Sequence, residues 1–221
     1  MNHASTLQRF NASALHILAF LACGCTFCGC LSRPPLDQQT FAFSIPVMSA
    51  TNGVARDGVL GIRTLEIAPP FDGRRLVYRT GESSYERDPY AAFLVSPDDG
   101  LLAPACDFLG ADGNFAAVVK AGSAVKPDTL LEINISQLYG DIRKPANPCA
   151  VLAMRVTFIH ATNGLPGRVI LQRNYSRRIP IKSATPAALL EGWNQALAEI
   201  FAEVVSDLRQ WNETSHGENQ P

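Results

Sequence analysis

Apolar and polar residues alternate along several stretches of the chain, as they do in β-strands that bury one face. The clearest example is 130–142, which begins Leu-Leu-Glu-Ile-Asn-Ile-Ser. The stretch 150–161 follows the same rule, and Asn163-Gly164 then turns the chain into 167–181. This pair predicts an antiparallel hairpin whose turn is longer than the tightest type. Further strands are predicted over 40–47, 59–67, 74–80, 84–91 and 115–122.

A long helix is predicted from Thr185-Pro186 to about Trp211, because apolar residues recur there at helical spacing. The apolar positions are Leu189, Leu190, Trp193, Leu197, Ile200, Phe201, Val204 and Leu208. Their stripe is broad enough to face a core. The polar segment 212–221 that follows is predicted to be a disordered tail.

A second, shorter helix is predicted to begin at Ser96 and to end over Gly110 to Gly113. Serine can cap a helix, and Pro97 suits the first helical turn. The residues expected on its buried side are Leu101, Leu102, Phe108 and Leu109. Pro104 lies inside this helix and should kink it or break it in two, because proline removes a backbone hydrogen bond.

The order of these elements is strands, helix, strands, helix, which predicts a fold of the α+β class. We expect a single domain with a mixed or antiparallel sheet and two helices packed on one face. The domain is predicted to span 39–211 and to be preceded by a tether over 30–38. The remaining N-terminal residues, 1–29, form a different kind of segment.

Four of the six cysteines lie close together near the N-terminus, at Cys23, Cys25, Cys28 and Cys30. They follow an apolar run and precede a polar, proline-rich stretch. A zinc site would need a second pair of ligands further along, and none is visible. A disulfide knot would need a folded frame to hold the partners. A secretory signal of the bacterial lipoprotein type, over residues 1–29, explains both the apolar run and the thiols.

In such a signal, a small residue precedes a cysteine that receives a diacylglyceryl group and becomes the first residue of the mature chain. Gly29-Cys30 fits best, because polar sequence begins almost directly after it. Cys25, which follows Gly24, is the alternative lipidation site. An uncleaved membrane anchor is less favoured, because the cysteines and His16 interrupt the apolar run.

Composition and motifs exclude several functions. The formal net charge of the 221-residue chain is −1, so nothing indicates a general attraction to nucleic acid. Of the four histidines, only His160 falls inside the predicted domain, too few for a histidine-rich metal site. The chain has no G-x-S-x-G, no P-loop and no G-x-G-x-x-G. We therefore expect no catalytic residue, no metal and no cofactor, and a protein that is not an enzyme.

Basic residues follow the second arm of the predicted hairpin and its exit, at Arg168, Arg173, Arg177, Arg178 and Lys182. A solvated strand face is the simpler interpretation. The alternative is contact with anionic lipid or an acidic partner, for which Arg173, Arg177 and Arg178 are the candidates.

The two cysteines of the predicted domain also leave two interpretations open. Cys106 and Cys149 could be buried thiols, or they could form a disulfide in an oxidising periplasm.

Several short motifs follow one another between residues 58 and 135. They are a strand ending at Ile67 to Pro70, the turn Asp72-Gly73, the strand Leu76-Val77-Tyr78-Arg79, the aromatic pair Tyr90 and Phe93, the helix start Pro97, the strand entry Gly113-Asn114-Phe115, and a long Leu-x-Ile-x-Ile strand. In this order they resemble the auxiliary lipoprotein family of ABC-type, MCE-linked lipid transport systems. Phe93 stands where that family usually has tryptophan, and Pro104 is also unusual, which indicates a distant branch.

The resemblance implies a non-catalytic lipoprotein beside an MCE-domain protein, a permease and an ATPase, held at a membrane by acyl chains such as palmitate. Self-association of the chain is left open. Leu31 follows Cys30 where aspartate would retain an enteric lipoprotein in the inner membrane, so we expect the outer membrane, facing the periplasm. The rival hypotheses are a stand-alone periplasmic binding module, for a small ligand or the cell wall, and an envelope hydrolase.

Overall fold

The computed structural model of the chain describes residues 38–46 and 58–217, with side chains described as far as residue 211. These ranges contain eight strands and two helices. The strands are β1 (Gln39–Phe41), β2 (Val59–Ile67), β3 (Arg75–Arg79), β4 (Tyr85–Phe93), β5 (Ala117–Lys120), β6 (Thr129–Asp141), β7 (Cys149–Thr162) and β8 (Leu165–Pro180). The helices are α1 (Pro97–Ala111) and α2 (Pro186–Gly217). The predicted α+β class is confirmed.

The sheet is mixed and is organised around β6. Along one edge, β6 pairs antiparallel with β7, which in turn pairs with β8. Its other edge is shared by two parallel neighbours, β2 along its first half and β3 near Asp141. β5 extends the sheet beyond β2, while β4 and β1 extend it beyond β3. The sheet therefore has one end at the β7–β8 turn, called here the hairpin end, and an opposite end at Asp141.

The turn between β7 and β8 is shorter than predicted. Thr162 pairs with Leu165, so only Asn163 and Gly164 form the loop. Both have positive φ angles, 55° and 79°. A two-residue turn of this handedness matches the twist of the two strands, and asparagine followed by glycine adopts it readily. The prediction of a longer turn was wrong because both strands continue to the turn itself.

The first strand is also shorter than the predicted stretch 40–47. β1 pairs in parallel with the end of β4, from Gln39 opposite Ala91 to Phe41 opposite Phe93. Phe43 and Ile45 are buried although they lie beyond the strand. The alternation there reflects burial of these two side chains and not strand pairing.

Helix α1 is a single helix of 15 residues, so Pro104 does not break it in two. Leu101, Phe108 and Leu109 are buried as predicted, and Leu102 is partly buried. Packing of this apolar side on the sheet outweighs the loss of the one backbone hydrogen bond that proline cannot make.

Helix α2 places its predicted apolar stripe in the core. Trp193, Leu197 and Ile200 are fully buried, and only Leu190 of the predicted set is partly exposed. The Trp193 indole N–H donates a hydrogen bond to the Val151 carbonyl oxygen of β7 at 3.1 Å. The two helices also touch, since the rings of Phe108 and Phe201 lie 5.7 Å apart. Both helices therefore cover the same face of the sheet, as predicted.

The end of α2 differs from the prediction. The helix continues to Gly217, although the apolar stripe ends at Leu208 and a disordered tail was expected from Asn212. No proline interrupts this polar stretch, and glycine is the residue at which helices commonly end. The apolar pattern marks the part of the helix that packs on the sheet and not its full length.

Candidate functional surfaces

Arg177 of β8 is held by two carboxylates of α2. Its Nε lies 3.1 Å from Glu199 Oε2, and its Nη2 lies 2.6 Å from Glu203 Oε2. The two glutamates are four residues apart, so they project from the same side of the helix. Glu203, and to a lesser extent Glu199, raises the pKa of the Arg177 guanidinium. This arginine fastens the outer strand of the sheet to the helix.

Arg173 lies on the same side of β8 and also faces α2. Its Nη1 is 3.5 Å from Asp207 Oδ1, while the Tyr175 hydroxyl donates a hydrogen bond to Asp207 Oδ2 at 2.8 Å. Burial, reinforced by the nearby Asp207 carboxylate, raises the pKa of the Tyr175 hydroxyl. The same carboxylate thus serves a cation and a hydroxyl of one strand.

Arg178 points to the opposite face and reaches the buried carboxylate of Asp141. Its Nη2 lies 2.8 Å from Asp141 Oδ2, and Arg143 contacts the same oxygen at 2.8 Å and Oδ1 at 3.0 Å. Hydrogen bonds from Arg143 and then from Arg178 hold the pKa of the Asp141 carboxyl well below its usual range, although burial acts in the other direction. A cavity of about 460 Å³ opens beside them, next to Glu82 and Lys144.

These contacts locate Arg173, Arg177 and Arg178, the predicted candidates for lipid or partner contact. Each forms an ion pair within the domain. Binding of any of them to an anionic ligand stays a prediction, and such binding would have to compete with the carboxylate already present. The sequence could not show this, because the partners lie 22 or more residues away along the chain.

A different basic surface lies at the hairpin end. Val125, Leu165 and Val169 have exposed fractions of 49%, 70% and 56%. The loop 121–127 packs against the β7–β8 turn, and the two border a cavity of about 300 Å³. The cations beside the exposed apolar residues are Lys120, Lys126 and Arg168, all of them exposed. We call these six residues the hairpin-end surface.

Most of this surface could not be predicted from the sequence, although one signal was present. Leu165 follows the Asn163-Gly164 turn directly, where hairpin tips are usually polar. The loop that supplies Val125 and Lys126 is distant in sequence, and only the pairing of β6 with β7 brings it beside the turn.

Of the two interpretations left open for Cys106 and Cys149, the structure has free thiols: no disulfide joins them, and both are partly buried. Cys106 lies on α1 beside Val118 of β5, near the hairpin end. Cys149 pairs with Asp141 at the opposite end of the sheet. These ends are separated by the length of β6, about 40 Å at roughly 3.3 Å per residue. A disulfide requires Cα atoms within about 7 Å.

We expect mass spectrometry of the unreduced, denatured protein, alkylated before digestion, to find Cys106 and Cys149 both alkylated. Burial raises the pKa of the Cys106 thiol, so in the folded protein it should react more slowly than an exposed thiol. A reduced sample provides the control and should give the same two modified peptides. A peptide linked through these cysteines would contradict the structure.

Comparison with known proteins identifies the family. The model of the family described as the ABC-type transport auxiliary lipoprotein component matches residues 41–205. The chain belongs to this family. The matched range runs from β1 into α2 and so includes nearly the whole described domain. No curated protein sequence matches the chain.

Two solved structures resemble the fold of this family member. A Xanthomonas campestris protein of the DUF330 family superposes with a TM-score of 0.68 at 18% identity, covering 81% of this chain and 99% of its own. An uncharacterized protein superposes with a TM-score of 0.55 at 14% identity, covering 77% of this chain and 99% of its own. At these identities the likeness establishes the fold alone.

The motifs that carry the family resemblance occupy defined places in the structure. Leu76, Val77 and Tyr78 are buried on β3, next to the central strand. Phe93, the second residue of the aromatic pair, stacks on Phe43 at 5.0 Å and on Trp193 at 5.8 Å. The aromatic position therefore anchors β4 and the chain after β1 to helix α2.

The remaining predicted site residues are of two kinds. Cys30 and Cys25, the candidate lipidation sites, lie outside the described residues. His160 is exposed on β7, where it pairs with Thr129.

In the part of the chain that the structure describes, no cluster of three or more His, Cys, Asp or Glu side chains could hold a metal ion. Within the same part, no helix is both long and apolar enough to cross a membrane.

Proposed function

We propose that this family member is a membrane-anchored, non-catalytic subunit of an ABC-type system that moves lipids between the membranes of the bacterial envelope. The observation that carries the proposal is the family match over residues 41–205. Its partners would be an MCE-domain protein, a permease and an ATPase, as the resemblance of the sequence motifs implies. The candidate lipoprotein signal before Cys30 supports placement at a membrane, and Leu31 favours the outer membrane, facing the periplasm.

Such a subunit would act through the surfaces that contact its partners and through the membrane anchor that holds it near them. An acyl anchor confines the domain near its partners, so that weak contacts are populated at a high effective concentration. Affinity purification from detergent-solubilised membranes tests the partners directly. Recovery of an MCE-domain protein, a permease and an ATPase would support the proposal. Recovery of a tightly bound soluble ligand without them would favour the stand-alone binding module.

We expect Cys30→Ser to impair lipid transport while the domain stays folded, because the described domain begins well after this residue. The assay is complementation of a deletion strain, with the lipid distribution of the envelope as the readout. Overproducing the unanchored variant should restore part of the function by mass action.

Cys25→Ser is the matched control, since it removes a neighbouring thiol that the proposal does not use. Loss of function in Cys25→Ser alone would move the anchor to Cys25.

His160→Ala should leave transport intact. If it abolishes transport in a folded protein, the non-catalytic assignment fails and a hydrolase becomes the better hypothesis.

A further inference from the structure

The hairpin-end surface combines exposed apolar residues with exposed cations. Leu165 has the largest exposed fraction among the exposed large apolar residues, and Val125 and Val169 are also exposed. They belong to two segments that touch, since a Cβ on Gly164 would lie 3.6 Å from the Lys126 side chain. The exposed apolar residues therefore lie on the adjoining loop and on the first part of β8, directly after the turn.

The cations of this surface, like Arg75, Arg87 and Arg155 elsewhere in the sheet, have no carboxylate partner among the described residues. Lys120, Lys126 and Arg168 form no ion pair with any described acidic residue, whereas Arg177 and Arg178 bind carboxylates at 2.6–3.1 Å. Among the acids nearby, Asp128 is engaged with the backbone, because its Oδ2 accepts a hydrogen bond from the Val59 N–H at 2.8 Å, and Asp99 and Asp107 border a cavity with Lys120 but form no ion pair with it. Positive charge at the hairpin end is thus left for an external partner.

We propose that the hairpin-end surface docks on an anionic lipid surface. Val125, Leu165 and Val169 would enter the boundary between headgroups and acyl chains, and the three cations would face anionic headgroups. Exposed apolar side chains rimmed by lysine and arginine are the chemistry that holds peripheral proteins on such membranes. A second copy of this chain is a poorer occupant, since a two-fold contact would bring like charges together. The inference rests on the proposed function only for the presence of a membrane nearby.

The test places a tryptophan at the hairpin tip of the full chain, with Leu165→Trp, and reconstitutes the protein in vesicles of phosphatidylcholine and phosphatidylglycerol. Lipids brominated in their acyl chains quench tryptophan on contact. They are placed either in the same vesicles or in a second vesicle population. We expect a loss of emission from the introduced tryptophan in one of these two arms, after the signal of the unsubstituted chain is subtracted. The two arms distinguish contact with the anchoring membrane from contact with a facing membrane.

Leu94→Trp is the matched control, because Leu94 is similarly exposed, at 59%, but lies outside the hairpin-end surface. Its tryptophan should keep its emission. Lys126→Glu, added to Leu165→Trp, should reduce the quenching, whereas Lys144→Glu at the Asp141 end should not. Circular dichroism of each variant checks that the domain is folded.

Three results would overturn the inference. The first is no quenching of the Leu165→Trp emission in either arm, and the second is equal quenching of the Leu94→Trp control. The third is that vesicles of phosphatidylcholine alone quench the Leu165→Trp emission as strongly as the mixed vesicles do, and that Lys126→Glu leaves this quenching unchanged. A surface that binds another protein would give the first of these. Because the vesicles contain no transporter, a negative result leaves the proposed function standing. Conversely, failure of the complementation or purification experiments leaves the quenching result valid.

Discussion

Phe201→Ala should lower the free energy of unfolding by about 3–5 kcal/mol, the range found when a buried phenylalanine is truncated. Phe201 has an exposed fraction of 1%, and its ring contacts Phe108 of α1. The substitution therefore leaves a cavity where both helices meet the sheet. A domain of this size has a total stability of about 5–15 kcal/mol, so the loss would be a large share of it. Equilibrium unfolding in urea measures the change.

Glu191→Ala is the matched control on the same helix, because Glu191 is exposed. We expect it to change the stability by no more than about 0.5 kcal/mol. A loss below about 1 kcal/mol for Phe201→Ala would mean that α2 is not held by its apolar stripe, contrary to the structure. The size of the stability loss therefore tests whether the apolar stripe of α2 packs on the sheet, and not only whether the helix forms.

Local patterns allowed the sequence to predict most of the fold. The stripe of α2 and the alternation along β6 arise from residues close together in the chain, so the helical and strand periods reveal which side is buried. The Asn163-Gly164 turn is equally local. The lengths of elements were less predictable, because they depend on pairing with distant segments. β1 ends where β4 ends, and α2 continues beyond its last apolar residue.

The candidate sites were harder to predict, because they depend on charge pairing across the fold. Arg173, Arg177 and Arg178 were the candidates for lipid or partner contact, as the alternative to a solvated strand face, because of the density of basic residues along one stretch. In the structure, each of them has a carboxylate partner from α2 or β6. Lys120 and Lys126 attract no attention in the sequence, and they became relevant only when the fold left them without an acidic partner. The sequence left the pairing of Cys106 and Cys149 open for the same reason, since the distance between two thiols is set by the fold.

The two ends of the sheet consequently have different electrostatic character. At the Asp141 end, Arg143 and Arg178 are paired with the Asp141 carboxylate, and Arg143 also binds Glu82 at 2.7 Å. At the hairpin end, cations stand beside exposed apolar residues. Ion pairs within the domain stabilise the first end, and we infer that the second end is available for an external surface.

The Asp141 end leads to the second large effect. Asp141→Asn should lower the stability at pH 7 by about 2 kcal/mol, because hydrogen bonds between charged groups contribute about 1.5–3 kcal/mol. The exposed side-chain fractions of Arg143 and Arg178 are 28% and 50%, so water can partly replace the lost carboxylate. For this reason we expect a value in the lower part of that range.

This loss should depend on pH in a defined direction. The pKa of Asp141 is lower in the folded protein than in the unfolded chain. The stability that it contributes is therefore complete above the unfolded value, about 3.9. It is lost as the pH falls through the folded value. The difference between the unsubstituted chain and Asp141→Asn should be constant above about pH 5 and should shrink on acidification, as measured by urea unfolding at several pH values.

Glu82→Gln is the matched control, because Glu82 binds the same Arg143 but has an exposed side-chain fraction of 87%. An exposed ion pair contributes little, so its removal should change the stability by less than about 1 kcal/mol. Other carboxylates also titrate in acid, but their contribution is common to both proteins and cancels in the difference. A difference between the unsubstituted chain and Asp141→Asn that stays constant down to pH 3 would show that Asp141 acts through packing and not through its charge.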